Sequence, residues 1–435
     1  MASSRTAVKQ QTKDAHSRKV ALGGTIGNAA EWYDYSIFGF SAAYLGAAFF
    51  PSDNPTTSLL ASFATFAVTF LFRPLGGVFF GALADRMGRQ RTLVIVVVGI
   101  SAATTLVGLL PTHASIGVAA PILLVLLRII QGLSAGGEIG TSLSFLAEHA
   151  PPERRGSICA SLNIGAYIGG LMASGTFALF SVTLGAEDMQ SWGWRIPFLL
   201  GAPLGIAAYY IRSRLTETPD FEALQAEQAT SESPIAEVFR TSHRAMLLCF
   251  LITMTHNMAF YAIFVYYPNA LSAAGGGRST YAYLIAPVTY VAALIALPIA
   301  ADLSDRVGRK PVLIAACGSY LVLGLPAAFL FTHGTLWATV TGALVFGAVL
   351  GTYSGAPFAA MAELFTARTR TTGFSISYNV SAAIFGGLAP LYLTFLVDAT
   401  DSFLIPVVCV MSASVITIVA TRSMPDHAGK PLRIR

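Results

Sequence analysis

The sequence predicts an all-α integral membrane protein, with twelve transmembrane helices in two pseudo-symmetric six-helix halves. Three observations carry that prediction. The chain of 435 residues is 54% hydrophobic and 11% charged, with a mean hydropathy of +0.64; a soluble domain carries roughly 25% charged residues. Residues 81–91 read G-A-L-A-D-R-M-G-R-Q-R and residues 301–310 read A-D-L-S-D-R-V-G-R-K, so one acidic–basic loop occurs twice, each time between long apolar runs. The other polar stretches alternate between strongly basic and nearly uncharged, as loops on the two sides of a bilayer do.

Each span is an apolar window of about 20 residues, the length that crosses a bilayer. The windows are 20–49, 58–83, 92–110, 119–147, 157–183, 194–211, 245–270, 280–302, 311–331, 335–364, 373–397 and 402–421. Spanning helices tolerate the Pro and Gly inside them, because neighbouring helices re-satisfy the freed backbone groups. The chain thus divides into a polar tail (1–19), an N-terminal half (20–211), a linker (212–244), a C-terminal half (245–421) and a second tail (422–435).

The tails and the loops at 84–91, 148–156, 212–244, 303–310 and 365–372 hold 23 of the 27 Lys and Arg residues. The loops on the other side show Arg278 and, at a helix start, Arg195. This bias places both termini and the linker in the cytoplasm. The linker reads as a solvated amphipathic tether. No short apolar core precedes a small-residue cleavage site, so no cleaved signal peptide is expected. Cys159, Cys249, Cys317 and Cys409 sit singly in apolar runs and are expected to form no disulfide.

The halves match elsewhere. Glu148 and Arg155 are seven apart at the end of span 4, as are Glu363 and Arg370 at the end of span 10. Asn28 and Asn257 hold similar places in spans 1 and 7, and Asn163 and Asn379 in spans 5 and 11. A duplicated six-helix unit of this kind is the architecture of alternating-access transporters.

With these features the chain resembles the major facilitator superfamily over its whole length. The stretches G-N-A-A-E-W-Y-D-Y (27–35), F-L-F-R-P-L-G-G (70–77), R-I-I-Q-G-L-S-A-G-G-E (128–138), W-G-W-R-I-P-F (192–198) and A-I-F-G-G-L-A-P (383–390) resemble its metabolite–proton symporter branch. Members of that branch carry citrate, 2-oxoglutarate, shikimate, proline and betaines with protons. The resemblance makes the two D-R-x-G-R loops a cytoplasmic gate: Asp85, Arg86, Gly88 and Arg89, and Asp305, Arg306, Gly308 and Arg309. Osmoregulated betaine carriers of the branch can end in a long coiled coil. The tail after about residue 422 has no heptads, which speaks against an osmosensor.

Charges in the hydrocarbon layer cost about 2.5–3.5 kcal/mol each on insertion scales. Five fall well inside spans, all in the N-terminal half: Glu31, Asp34, Arg73, Arg128 and Glu138. They must pair or face water. Glu31 and Asp34 are three apart on one helix face, with Asn28, Trp32 and Tyr35 beside them. Two such carboxylates do not both ionise cheaply, so a shared proton-coupling site is expected here. Arg73 lies about 15 Å from the end of its helix and suits a carboxylate, from a span 1 acid or from substrate. Arg128 and Glu138 are about 15 Å apart along span 4, too far to pair. The expected partners are a span 1 acid for Arg128 and Arg73 for Glu138. The glycines at 132, 136 and 140, and at 77 and 81, read as close helix packing.

Glu138 joins Glu31 and Asp34 as a proton-coupling candidate, and the candidate substrate contacts are Asn28, Trp32, Tyr35, Arg73 and Arg128 in the N-half and the neutral Asn257, Tyr261, Tyr353, Tyr378 and Asn379 in the C-half. Tyr266, Tyr267, Tyr281 and Tyr283 read as an interfacial belt, as do Trp192, Trp194 and Arg195. His256 reads as a hydrogen-bonded packing residue. The expected function is proton-coupled uptake of a small polar metabolite, an organic acid first because of the two arginines, with a proline or betaine carrier as the alternative and drug–proton antiport third. No metal cluster, nucleophile elbow or H-E-x-x-H frame is present, so no enzyme and no cofactor beyond the proton is expected. The expected setting is a bacterial inner membrane, the expected state a monomer, and no nucleic-acid partner is implied.

Overall fold

The computed structural model describes residues 2–87, 89–214, 216–217, 234–274 and 281–433. Side chains are described from Ala21 onward, except at 55–56, 82, 85–89, 186, 234, 272–274 and 282–283. Among the described residues there is no strand and there are twelve long helical segments. In the first half these are α1 (Ala2–Phe40, resumed at Ala42–Phe49), α2 (Pro55–Met87), α3 (Arg89–Leu109), α4 (Ala119–His149), α5 (Ser161–Asp188, entered through Arg155–Cys159) and α6 (Gly201–Arg212, entered through Arg195–Leu199). The second half has α7 (His243–Tyr261), α8 (Ala282–Val307), α9 (Arg309–Thr332), α10 (Leu336–Ser354, resumed at Pro357–Leu364), α11 (Arg370–Ala382, resumed at Ala389–Thr400) and α12 (Ile405–Ser423). Ten helices among the described residues are long and apolar enough to cross a membrane. The charged α1 and the short, broken α6 complete the twelve.

The packing repeats. In the first half α1 packs on α5 and α6, α2 on α4, and α3 on α4 and α6. In the second, α7 packs on α11 and α12, α8 on α10, and α9 on α10 and α12. Adding six to each number turns one set into the other. The halves meet where α2 lies against α11 and where α5 lies against α8, again a symmetric exchange. The symmetry reaches single side chains. Asn163 on α5 donates to the Ser354 carbonyl of α10 at 2.9 Å, and its counterpart Asn379 on α11 donates to the Gly136 carbonyl of α4 at 3.0 Å.

Small residues make these approaches possible. A Cβ at Gly136 would collide with the Arg73 carbonyl oxygen of α2, and one at Gly140 with Ser375 Oγ of α11. The outward surface is apolar, with Phe79, Val182, Trp337 and Phe395 all exposed; side chains of this kind face lipid in a spanning bundle. Two continuations of C-half helices, Ala262–Tyr266 after α7 and Ala383–Gly387 in α11, are π-helical. Such bulges cluster at functional sites because they re-aim side chains within an otherwise regular helix.

Some expectations from the sequence need correction. Arg212, placed at the start of a solvated linker, is the buried last residue of α6. Tyr266 and Tyr267 are buried rather than interfacial, and the Tyr267 hydroxyl donates to the Phe403 carbonyl at 2.7 Å. Trp194 is buried under the Arg195 guanidinium, which bonds the Gly108 and Leu110 carbonyls at the end of α3; Trp192 is exposed. Of the linker, residues 212–214, 216–217 and 234–244 are described, the last stretch including the helix Pro234–Thr241, and Tyr283 lies outside the described side chains.

Candidate functional site

The site is built on α1, whose inner face carries Asn28, Glu31, Trp32, Asp34 and Tyr35, all nine-tenths or more buried. Glu31 and Asp34 do not share one site. Each carboxylate has its own guanidinium. Arg73 Nη2 donates to Glu31 Oε1 at 3.1 Å, while Arg128 Nη1 donates to Asp34 Oδ2 at 3.2 Å. Asp34 Oδ1 also accepts from Thr104 Oγ1 at 2.7 Å and Gln131 Nε2 at 2.6 Å, and Gln131 Oε1 in turn accepts from Arg128. The Arg128 guanidinium lies 3.6 Å from the Phe38 ring centroid, with its Nε and Nη2 left without a hydrogen-bond partner. Glu31 is less satisfied than Asp34, for its Oε2 is buried without a partner.

Glu138 does not answer Arg73. It forms a doubly bonded ion pair with Arg212 and accepts from Ser142 Oγ at 2.8 Å. The Arg212 guanidinium lies against Gly27 of α1, where any larger residue would displace it. The signal for Arg212 was available, since it directly follows the apolar run 194–211. Gln131 and Thr104 were missed because neutral polar residues cost little in a helix and so stand out less than charges.

Arg73 follows the pattern R-P on α2, and Pro74 removes one helical N–H there. Its Nε donates across the seam to Asn379 Oδ1 at 3.0 Å. Its guanidinium lies 5.1 Å from the Tyr35 ring centroid and 5.5 Å from that of Phe70. Aromatic rings from both halves gather next to it. Trp32 lies 4.6 Å from Phe260, 5.8 Å from Tyr35 and 6.3 Å from Tyr261, and Phe70 lies 5.2 Å from Tyr35 and 5.3 Å from Tyr261, centroid to centroid. Five buried polar groups of this region lack a protein partner at one or more atoms: Glu31 Oε2, Trp32 Nε1, Tyr35 OH, both amide atoms of Asn257 and Tyr261 OH. Buried polar groups are normally hydrogen-bonded, so this concentration marks a place made for something else to bind. Phe70 and Phe260 were not foreseen, because an isolated Phe in an apolar helix carries no polar signal.

Other candidates fall elsewhere. Asn28 donates to the Leu162 carbonyl of α5 at 2.5 Å, a tie within the N-half. Tyr353 donates to the Ile252 carbonyl at 2.6 Å and packs away from the rings. Tyr378, by contrast, packs on Phe358 and Phe374 and stays within electrostatic range of Arg73 and Glu31, at the edge of the site. His256 meets Ser354 Oγ at 3.3 Å.

The face with the basic loops is closed by ion pairs that cross between halves. Arg155 pairs with Glu363 at 3.0 Å and Arg370 with Glu148 at 3.1 Å, so the two matched Glu–Arg motifs exchange partners. Arg309 joins Glu363 at 3.1 Å and Asp305 at 2.7 Å, and the Asp305 carboxylate accepts from the Gly156 and Ser157 backbone N–H groups at 2.7 and 2.9 Å. Arg306 takes no part: it is exposed and pairs with Asp302. Gly308 supplies a turn at φ 100°, a conformation that favours glycine. Gly88 and the side chains of Asp85, Arg86 and Arg89 lie outside the described residues. On the opposite face, Asn269 of the α7 continuation reaches the Gly39 carbonyl at 3.4 Å, beside a gap of about 310 Å³ lined by Phe40, Ser174, Phe177 and Ser181.

Two matched six-helix halves, a buried polar site at their seam and an ion-paired closure at one face define a membrane transporter of the alternating-access kind. The chain belongs to the Major Facilitator Superfamily, whose model matches residues 24–390. It is similar to the proline/betaine transporter of Salmonella typhimurium, 34% identical over 433 residues that cover 97% of this chain and 86% of that one. It is 38% identical over 429 residues to the ectoine/proline transporter ProP of Corynebacterium glutamicum, covering 95% of this chain and 85% of the relative. Among solved structures, the proton:xylose symporter XylE superposes with a TM-score of 0.79 at 16% identity, covering 97% of this chain and 98% of that one. This last likeness establishes the fold.

Proposed function

We propose that this protein is a proton-coupled symporter that takes up a small zwitterion of the proline and betaine kind across a bacterial inner membrane, both termini in the cytoplasm. The observation that carries the reading is the ring cluster of Trp32, Tyr35, Phe70, Phe260 and Tyr261 directly beside the Arg73–Glu31 pair. Aromatic faces attract a desolvated ammonium, and a guanidinium holds a carboxylate through parallel hydrogen bonds. A zwitterion presents both groups a few ångströms apart. The names of the relatives point the same way.

Charge counting speaks against a di- or tricarboxylate. Arg73, Arg128 and Arg212 are each matched by a carboxylate, Glu31, Asp34 and Glu138. The site thus has no surplus positive charge for a di- or tricarboxylate. A zwitterion arriving with one proton adds one positive charge to the site: protonated Glu31 releases Arg73, the substrate carboxylate takes its place, and the substrate ammonium is left to the aromatic faces. An unpaired Arg73 would be costly in the closed interior, so neither proton nor substrate alone yields a carrier that closes readily. The rings touch one another here, so binding accompanies their separation as the halves rock apart. Asp305, Arg309, Arg155 and Glu363, with Arg370 and Glu148, form the cytoplasmic gate in this reading.

Purified protein in proteoliposomes tests it. With an imposed pH gradient, labelled proline, glycine betaine and ectoine should accumulate, and a protonophore should abolish the accumulation. Accumulation of citrate, 2-oxoglutarate or shikimate without any of the zwitterions would reverse the assignment.

A further inference from the structure

The Asn379 side chain is fully buried and held from two directions. Its Oδ1 accepts from Arg73 Nε and its Nδ2 donates to the Gly136 carbonyl, both at 3.0 Å. A guanidinium only donates and a carbonyl only accepts, so the two partners fix which way the amide faces. The C-half therefore presents a neutral dipole to Arg73, at a position where aspartate would be nearly isosteric and would present a charge.

We infer that Asn379 is the specificity-determining residue that makes this carrier require a carboxylate on its substrate; the inference rests on the zwitterion reading above. A buried guanidinium needs an anion. Glu31 is that anion in the empty carrier. Once Glu31 takes the proton, residue 379 offers a hydrogen bond but no charge, so the anion must arrive with the substrate. An aspartate at 379 would supply it from the C-half. The substrate carboxylate would then be redundant and repelled, while the rings of Trp32, Phe260 and Tyr261 would still hold a quaternary ammonium. The carrier would change from betaine-type to choline-type.

Glycine betaine and choline test this cleanly, because they share the trimethylammonium group and differ in the carboxylate. Calorimetric binding to purified protein in nanodiscs should show the parent preferring glycine betaine by about 10-fold or more, the scale of a hydrogen bond to a charged group. Asn379→Asp should prefer choline. An Asp variant with the parent's preference would overturn the inference. The Gly136 carbonyl loses its donor in that variant, so Asn379→Ala provides an independent route. Formate matches the deleted carboxamide in size and carries the missing charge. Added formate, and not chloride, should strengthen choline binding to the Ala variant about 10-fold on the same scale; indifference to formate would overturn the inference. A parent that binds neither proline nor glycine betaine would remove the zwitterion reading itself. A parent that binds betaine, with unchanged preference in the Asp variant, would remove only the role of Asn379.

Discussion

Glu31 and Asp34 sit one turn apart on α1 but are placed differently for proton chemistry. Asp34 accepts from Thr104, Gln131 and Arg128 and has both oxygens in use. Glu31 has one bonded and one unpartnered oxygen, and its guanidinium partner also reaches the other half. Glu31→Gln should therefore abolish pH-driven accumulation while preserving substrate counterflow, which needs no net proton movement. Accumulation that still follows the pH gradient in this variant would move the coupling site elsewhere. Asp34→Asn strands Arg128 and should show mainly as lost stability. The Glu138–Arg212 pair makes a sharper stability forecast. Removing one partner leaves a buried charge alone, at a cost of about 3–5 kcal/mol. Arg212→Met and Glu138→Leu should each lower the thermal unfolding midpoint in detergent, and the double variant should be more stable than either single one. Additive losses would mean that the two charges do not act as a pair.

Close helix contact is what places these residues. The α2–α4 crossing works because Gly136 lets the Arg73 backbone approach, and the neighbouring Asn379 bond needs the same closeness. Gly81, on the same stretch of α2, has open space around a would-be Cβ. Gly136→Ala should push α2 off α4, misplace Arg73 and abolish uptake. Gly81→Ala should leave uptake intact and can add up to about 1 kcal/mol through helix propensity. Equal uptake by both variants, measured in the same proteoliposome assay, would show that the crossing is more plastic than these contacts indicate.

For the whole molecule, the crosswise Glu148–Arg370 and Arg155–Glu363 pairs tie the halves together at the basic face. Such pairs favour the conformation that closes this face, and they are lost when the halves part there. Arg155→Ala and Glu363→Gln should shift the population toward opening at that face and speed maleimide labelling of Cys159, which lies buried in the same short helix as Arg155. The reporter background would replace the other three cysteines. Because Arg155 and Glu363 are in contact, the double variant should fall short of the summed single effects. Labelling as slow as in the parent would mean that other contacts hold the gate.

Helix number, duplication and the location of the charged site were legible in the sequence, because each rests on a local quantity. Span length follows from bilayer thickness, the repeated Asp-Arg-x-Gly-Arg loops reveal the two halves, and a charge inside an apolar run advertises its own cost. Glycine spacing likewise identified the close crossings at Gly132, Gly136 and Gly140, but not at Gly81, which has open space beside it. What the tertiary structure decided was pairing. Residues far apart in the chain chose one another: Glu138 with Arg212, Arg73 with both Glu31 and Asn379, and each gate glutamate with the other half's arginine. Residue type and spacing along one helix cannot specify a partner on another, because that depends on helix rotation, crossing and depth set by packing. The aromatic cluster was hidden for the same reason. Phe70 and Phe260 look like any lipid-facing side chains until α2 and α7 turn them toward Trp32 and Tyr261 at the seam.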